Sequence, residues 1–295
     1  MRVTNSMMVR NMLDHLQNNM GDLNDLNEQL SSGKLFQMPS DAPIKVSDSM
    51  NYKSQINRND QFQRNLNQAE NWLNITESAL KNSSKVVQRA RELTIYASND
   101  TLTPDDRKSI AKEIKQLRDE LVDISNTQLG DSYIFSGQKT TDKPFKVNAT
   151  GDFVKYQGDT SKISRNLNEN VDMTVNLTGD KVFESHINNL DKLYDELNSG
   201  TANGDDVTKF IDDMDKAVSE FTDSRAVIGG KLKRTENLKS RLEANEIHIK
   251  KLKSKNEDAN LARVITELKM EETVYRASLA SGARIMQQSL VDFIR

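Results

Sequence analysis

The stretch from Asn260 to Arg295, NLARVITELKMEETVYRASLASGARIMQQSLVDFIR, decides how the rest of the chain is read. Leu261, Ile265, Leu268, Tyr275, Leu279, Met286 and Phe293 fall on three- and four-residue steps, with Glu272, Gly282 and Ser289 in the gaps and no Pro to interrupt them. This spacing predicts a helix with a single apolar seam. At roughly 1.5 Å per residue it runs about 50 Å, longer than a compact domain is wide. Such a seam has no core of its own and needs a partner helix.

The matching pattern lies at the opposite end. Val9, Leu13, Leu16, Met20, Leu23 and Leu30 repeat the spacing, with Asn27 in the open position. An ordinary core-facing helix has the same period. Two matched termini, both longer than any core between them, favour a terminal coiled coil. The first helix ends in LSSGKLFQMPSDAP, Leu30 to Pro43, where Gly33 suits a left-handed cap and Pro39 and Pro43 exclude a continuing helix. These three residues mark a hinge. Ser, Gly and Lys crowd together there, but the GxxxxGK[ST] spacing and its preceding strand are missing, so a phosphate loop is rejected.

Between the termini the pattern stays helical. From about Val46 to Ser98 the chain forms a helix, with a seam from Phe62 through Leu66, Ala69, Leu73, Thr76, Leu80, Ser83, Val87, Ala90 and Thr94 to Ala97. Trp72, Ile75, Val86 and Leu93 widen this stripe enough to face two neighbours, as in a bundle. Thr103-Pro104-Asp105-Asp106 starts the next helix with a capping Thr, a Pro at the favoured first position and acids beside the positive end of the dipole. After Gly130 the period changes. Tyr133 to Phe135, Phe145 to Val147, Phe153 to Tyr156 and Val171 to Leu177 read as short strands separated by turn residues. Helical spacing returns from His186 to Leu197 and from Val207 onward, with another joint near the basic run at 250–255.

The predicted fold is therefore mainly α: a long antiparallel helical bundle with terminal coiled-coil helices and a small β-rich inserted outer domain. Residues 1–45 with 256–295 form the terminal coiled coil, 46–137 with 184–255 the central bundle, and 138–183 the β-rich insert. The insert is too small to bury a large core and should depend on its attachment to the helices.

Composition narrows the chemistry. Only 35% of the 295 residues are hydrophobic and 5% aromatic, which suits long solvated helices better than a large globule. Cysteine is absent, so disulfides and thiolate metal sites are excluded. Forty-one basic against 44 acidic residues give a net charge of −3, with no general drive toward nucleic acid or membrane surfaces. The N-terminus lacks the apolar run of a secretory signal, and no stretch is apolar enough to span a bilayer. His15, His186 and His248 stand in separate contexts without metal-binding spacing. No nucleophile, nucleotide or calcium motif is present, so the expectation is a non-enzymatic chain without cofactor or metal, whose partners are proteins. Asn148-Ala149-Thr150 and Asn176-Leu177-Thr178 match the glycosylation pattern, and both are read as chance.

Several segments carry a family likeness. LSSGK at 30–34 with Pro39-Ser40-Asp41, VQRARELTIYASND at 87–100, DDRKSIAKEIKQLRDEL at 105–121, SRAVIGGKLKRTENL at 224–238 and the closing LASGARIMQQSLVDFIR resemble the flagellin superfamily in order and spacing. Within it, GDSYIFSGQKTTDKPF at 130–145 and the final Ser289-Leu290-Val291-Asp292-Phe293 are similar to the hook-filament junction type, the hook-associated protein 3 family. Ala42 and Ile44-Lys45-Val46 depart from the family pattern at the joint. The resemblance implies paired termini, a central bundle and a projecting outer domain, with subunits polymerised helically around a channel. It also implies an extracellular place in the bacterial flagellum. The partners it implies are other copies of the chain, a hook-side hook-associated protein, flagellin, and an export chaperone with the flagellar type III export apparatus. A filament-forming flagellin is the alternative.

Overall fold

The computed structural model describes residues 2–146, 155–201 and 203–294, with side chains between 7 and 284 within those ranges. Among them six α-helices follow one another: α1 (Arg2–Ser32), α2 (Pro43–Ala97), α3 (Pro104–Ser125), α4 (Ser185–Asn198), α5 (Gly204–Glu257) and α6 (Leu261–Ile294). Four short strands lie between α3 and α4: β1 (Gln128–Leu129), β2 (Ser132–Tyr133), β3 (Ser164–Asn168) and β4 (Val171–Thr174). The fold is mainly α with a small β region. Contacts group the chain into two compact units, residues 59–244 and residues 1–58 with 245–295.

In the 59–244 unit, the α2 seam lies at the centre of the core. Leu66, Leu73, Leu80 and Ala90 are fully buried, as are the polar seam members Thr76, Ser83 and Thr94. Each of these hydroxyls donates to the carbonyl four residues back, to Trp72, Ala79 and Ala90 at 2.8, 2.9 and 2.7 Å. Their burial therefore leaves no orphan donor. The small side chains let α3, α4 and α5 pack closely, contributing Ile114 and Leu121, Leu190 and Leu193, and Met214 and Phe221.

The start of α3 is fixed by local chemistry. Thr103 accepts from the Asp106 N–H at 3.2 Å, and Asp106 Oδ2 accepts from the Thr103 N–H at 3.1 Å, a reciprocal capping box followed by Pro104. One turn in, the buried Arg107 donates to the carbonyls of Ala97 and Asn99, satisfying acceptors where α2 ends. Arg118, also buried, donates to Asp191 at 2.6 Å and ties α3 to α4.

The β region is held more by side chains than by ladders. β1 pairs with β2 and β3 with β4, both antiparallel, the second pair with an irregularity between Asn166 and Asn168. Phe145, which the sequence places in a strand, is instead clamped by Asn126, whose Oδ1 accepts from its N–H and whose Nδ2 donates to its carbonyl, each at 3.0 Å. Asn176 brackets Ile163 and Ser161 in the same way. Of the expected strands, 147 and 153–154 lie outside the described residues, as does Asn148-Ala149-Thr150. The strand at Ser164–Asn168 has no apolar alternation, and only Leu167 is buried.

An aromatic cluster joins this region to the helices of its unit. Phe183 stands edge-on to Phe135 at 4.8 Å, to Phe221 of α5 at 5.6 Å and to Phe145 at 6.2 Å. The π-helical turn Asp180–Glu184 that carries Phe183 runs directly into α4. Gly137 closes the region at φ +68°, where an added Cβ would sit 1.8 Å from the Asp159 carbonyl oxygen. Only glycine fits there.

Candidate assembly surface

The terminal helices belong to the other unit, and they pack against each other within one chain. Asn19 Nδ2 donates to Ser278 Oγ at 3.5 Å, Met12 lies where a side chain at Gly282 would be, and Lys34 bridges to Asp258. One number falls as the other rises, so the pair is antiparallel. Gly282 matters here because a Cβ would meet Met12 Cε at 3.1 Å. Its small size lets the helices approach.

The sheltered row of α1 is Met12, Leu16, Asn19, Leu23, Leu26 and Leu30, all half-buried, a regular four-three repeat. On α6 it is Val264, Leu268, Glu271, Tyr275, Ser278 and Gly282, with Val264 and Leu268 buried. Of the residues singled out from sequence, Leu16, Leu23, Leu30, Leu268 and Tyr275 lie in these rows, and Val9 is half-buried beside them. Leu13, Met20, Leu261, Ile265 and Leu279 remain exposed. Met286 and Phe293 lie on α6, but their side chains are outside the described ones. Sequence reading missed Met12, Leu26 and Val264, although all three fit the same repeat one residue earlier. Both rows are apolar, so periodicity alone could not choose between them.

At one end of the pair, the chain is clasped. Gly33, at φ +68°, ends α1 with its N–H donating to Gln29. Leu35 N–H then donates to the Glu257 carbonyl at 2.7 Å, and Ala259 N–H to the Gly33 carbonyl at 2.9 Å. The Glu257 carboxylate, 5% exposed, faces Lys53 at 3.5 Å, Lys34 at 3.6 Å and Lys253 at 3.7 Å. Three cations around one withdrawn carboxylate compensate its lost hydration. Asn256 Nδ2 adds a bond to the Lys45 carbonyl at 2.7 Å. Pro39 sits in the loop between these contacts and Pro43 is the first residue of α2. Beside Pro39, the Met38 N–H and then the Ser40 hydroxyl hold the Asp41 carboxyl below its ordinary range.

No group of His, Asp or Glu among the described residues is arranged to hold a metal ion, and no described helix is long and apolar enough to cross a membrane. His186 is the one buried imidazole among them. It lies in the 59–244 unit with Nε2 3.0 Å from Glu220 and its ring 5.1 Å from Phe221. Burial holds its pKa below the ordinary value, against the opposing pull of Glu220 and Asp213.

Comparison with known proteins brings these features together. The family described as bacterial flagellin N-terminal helical region matches residues 3–140. Flagellar hook-associated protein 3 of Escherichia coli (strain K12) is 34% identical over 190 residues, covering 64% of this chain and 59% of that protein. The chain thus spans about three fifths of the length of the hook-associated protein 3 relatives it matches, 59% in each case. Flagellin of Bacillus subtilis (strain 168) is 26% identical over 306 residues, covering 98% of this chain and 97% of that one. Among solved structures, the flagellar junction protein FlgL of Legionella pneumophila superposes with a TM-score of 0.60 at 18% identity, over 72% of this chain and 99% of that chain. That likeness is one of fold.

Proposed function

We propose that the chain is a flagellin-superfamily protein of the hook-associated protein 3 type, a structural subunit of the bacterial flagellum that joins the hook side to the flagellin filament. Its working parts are surfaces: the α1 and α6 helices carry the contacts of a helical polymer. The observation that carries this reading is the terminal pair, whose apolar residues are only partly consumed within one chain. Exposed apolar rows are a liability in a monomer and an adhesive in an assembly. At about 25 cal/mol per Å², even 1,000 Å² of newly buried apolar surface contributes roughly 25 kcal/mol before ordering costs.

Under this proposal the neighbours are other copies of the chain, a hook-side hook-associated protein and flagellin. The chain leaves the cell through the flagellar type III export apparatus, escorted by an export chaperone, without a cleaved signal. Residues 1–45 with 256–295 form the inner assembling part, 46–137 with 184–255 the bundle and 138–183 the outer part, while Gly33, Pro39 and Pro43 shape the joint.

Electron microscopy of cells lacking the gene, with flagellin measured in the medium, tests the role. Hooks without filaments and shed flagellin are expected, whereas normal filaments would rule it out. A filament-forming flagellin remains the second reading because the alignment to the Bacillus subtilis flagellin runs almost end to end. Purified chain that extends seeds into long filaments would favour it.

A further inference from the structure

The joint at Glu257 encloses a cavity that the assembly reading leaves unused. About 320 Å³ in volume, it lies within one unit, between the end of α1, the loop that follows, the first turns of α2 and the last residue of α5. Ser49 of α2 lines it and is 3% exposed, yet its hydroxyl makes no hydrogen bond with any described residue. A helical serine commonly turns its hydroxyl back to the carbonyl four residues earlier. Here that carbonyl, of Lys45, accepts from Asn256 Nδ2 instead. A buried hydroxyl left alone costs stability until a partner reaches it.

Two further donors line the same cavity. The Lys34 and Lys53 ammonium groups stand 3.6 and 3.5 Å from the Glu257 carboxylate, beyond the roughly 3.2 Å limit of an N–H···O hydrogen bond. Neither ammonium donates to a described residue, so their N–H groups remain available. With Lys253 at 3.7 Å, three cations meet one carboxylate and leave two positive charges over. Phe36 and Met50 add apolar lining. A neighbouring cavity of about 480 Å³ shares Lys34 and Phe36 but is lined by Asp25, Glu28 and Asp41. An anion is repelled there and drawn to the Ser49 side.

We propose that the Ser49 cavity binds a small organic phosphate monoester, with its dianionic head on Lys34, Lys53 and the Ser49 hydroxyl and its apolar body against Phe36 and Met50. The head carries close to two negative charges at neutral pH and accepts hydrogen bonds through three oxygens, matching both the surplus charge and the idle donors. A carboxylate leaves one charge unmatched, and a metal cation is repelled by the ammonium groups. The ligand touches the loop, α2 and the Glu257 end of α5 together, so binding favours the clasped form of the joint. The site is independent of the assembly reading, since it needs one chain only.

Calorimetric titration of the full-length protein with phenyl phosphate tests the site. Saturable binding is expected, and at a ligand concentration about ten times Kd the Leu35 and Ala259 amides, which bridge the joint, should exchange about tenfold more slowly. Inorganic phosphate, which lacks the apolar body, and benzoate, which lacks the second charge, should each bind about tenfold more weakly. Ser49→Ala should weaken phenyl phosphate about tenfold without lowering the melting temperature, because the hydroxyl has no partner in the free chain. Lys53→Gln should weaken it at least as much, and Ser49→Ala decides the matter should that variant fold poorly. Glu28→Gln, in the neighbouring cavity, should leave affinity within about twofold. Absence of saturable binding, equal affinity for benzoate, or wild-type affinity in Ser49→Ala would each overturn the proposal.

Discussion

The α2 seam and the α1 seam follow the same three-four spacing but have different fates. In the 59–244 unit every seam member of α2 from Leu66 to Ala97 is buried, even its Thr and Ser hydroxyls. In the terminal unit, Leu13 and Met20 stay in water. The difference lies in how many faces are covered. α2 packs in a core to which α3, α4 and α5 also contribute, whereas α1 packs against α6. A period therefore identifies a sticky stripe without saying whether the chain itself supplies what covers it.

The comparison can be pressed hardest at Phe183. Phe183→Ala removes a fully buried ring that meets three other aromatics, and should destabilise the 59–244 unit by about 4 kcal/mol. Chemical denaturation measures it; a loss below about 1 kcal/mol would mean the β region collapses easily around the gap. Glu257→Gln keeps the shape of the clasp but removes the charge that three lysines face. A local loss of roughly 2 kcal/mol is expected, read as faster hydrogen exchange at the Leu35 and Ala259 amides while Leu73 keeps its protection. Unchanged exchange would show that the backbone bridge suffices.

A third comparison uses pH. Burial holds the His186 pKa below its unfolded value of about 6.5, so the unfolded chain takes up a proton first as the pH falls. The stability associated with the neutral ring is fully present above about pH 6.5 and is lost as the pH falls from there through the folded value. Melting of the 59–244 unit should decline over that range, and His186→Phe should flatten the decline; an unchanged slope would assign it to Glu220, Asp213 or other carboxylates. The smallest effect on stability is expected from Leu13→Asp, within about 0.5 kcal/mol of wild type because the side chain is already exposed. Its incorporation into assemblies should nevertheless fail. Leu268→Asp makes a poorer test, since Leu268 is buried and its loss would damage the pair within the chain.

Much of the bundle was legible because its signals are local. The α2 spacing and the Thr103 cap depend on neighbours within a turn or two. The terminal row was legible only to within one residue, since Met12 and Leu13 are both apolar and only the position of α6 decides which is sheltered. Ser164–Asn168 was not legible as a strand, because its composition is polar and its conformation comes from pairing with β4. Phe145 had a strand's composition, but an Asn126 side chain took the place of a ladder. Such clamps join residues far apart in sequence and leave no period.

The clasp at Glu257 also bears on salinity. Its ion pairs span 3.5 to 3.7 Å, inside the screening length of about 8 Å at physiological ionic strength, and the carboxylate is shut away from water. Bath ions have little room to come between the partners. The Arg263–Glu267 and Lys269–Glu272 pairs on α6, at 2.7 and 3.1 Å, stand in solvent and have no such protection. Brine would thus loosen the surface pairs of α6 well before it loosened the joint at Glu257.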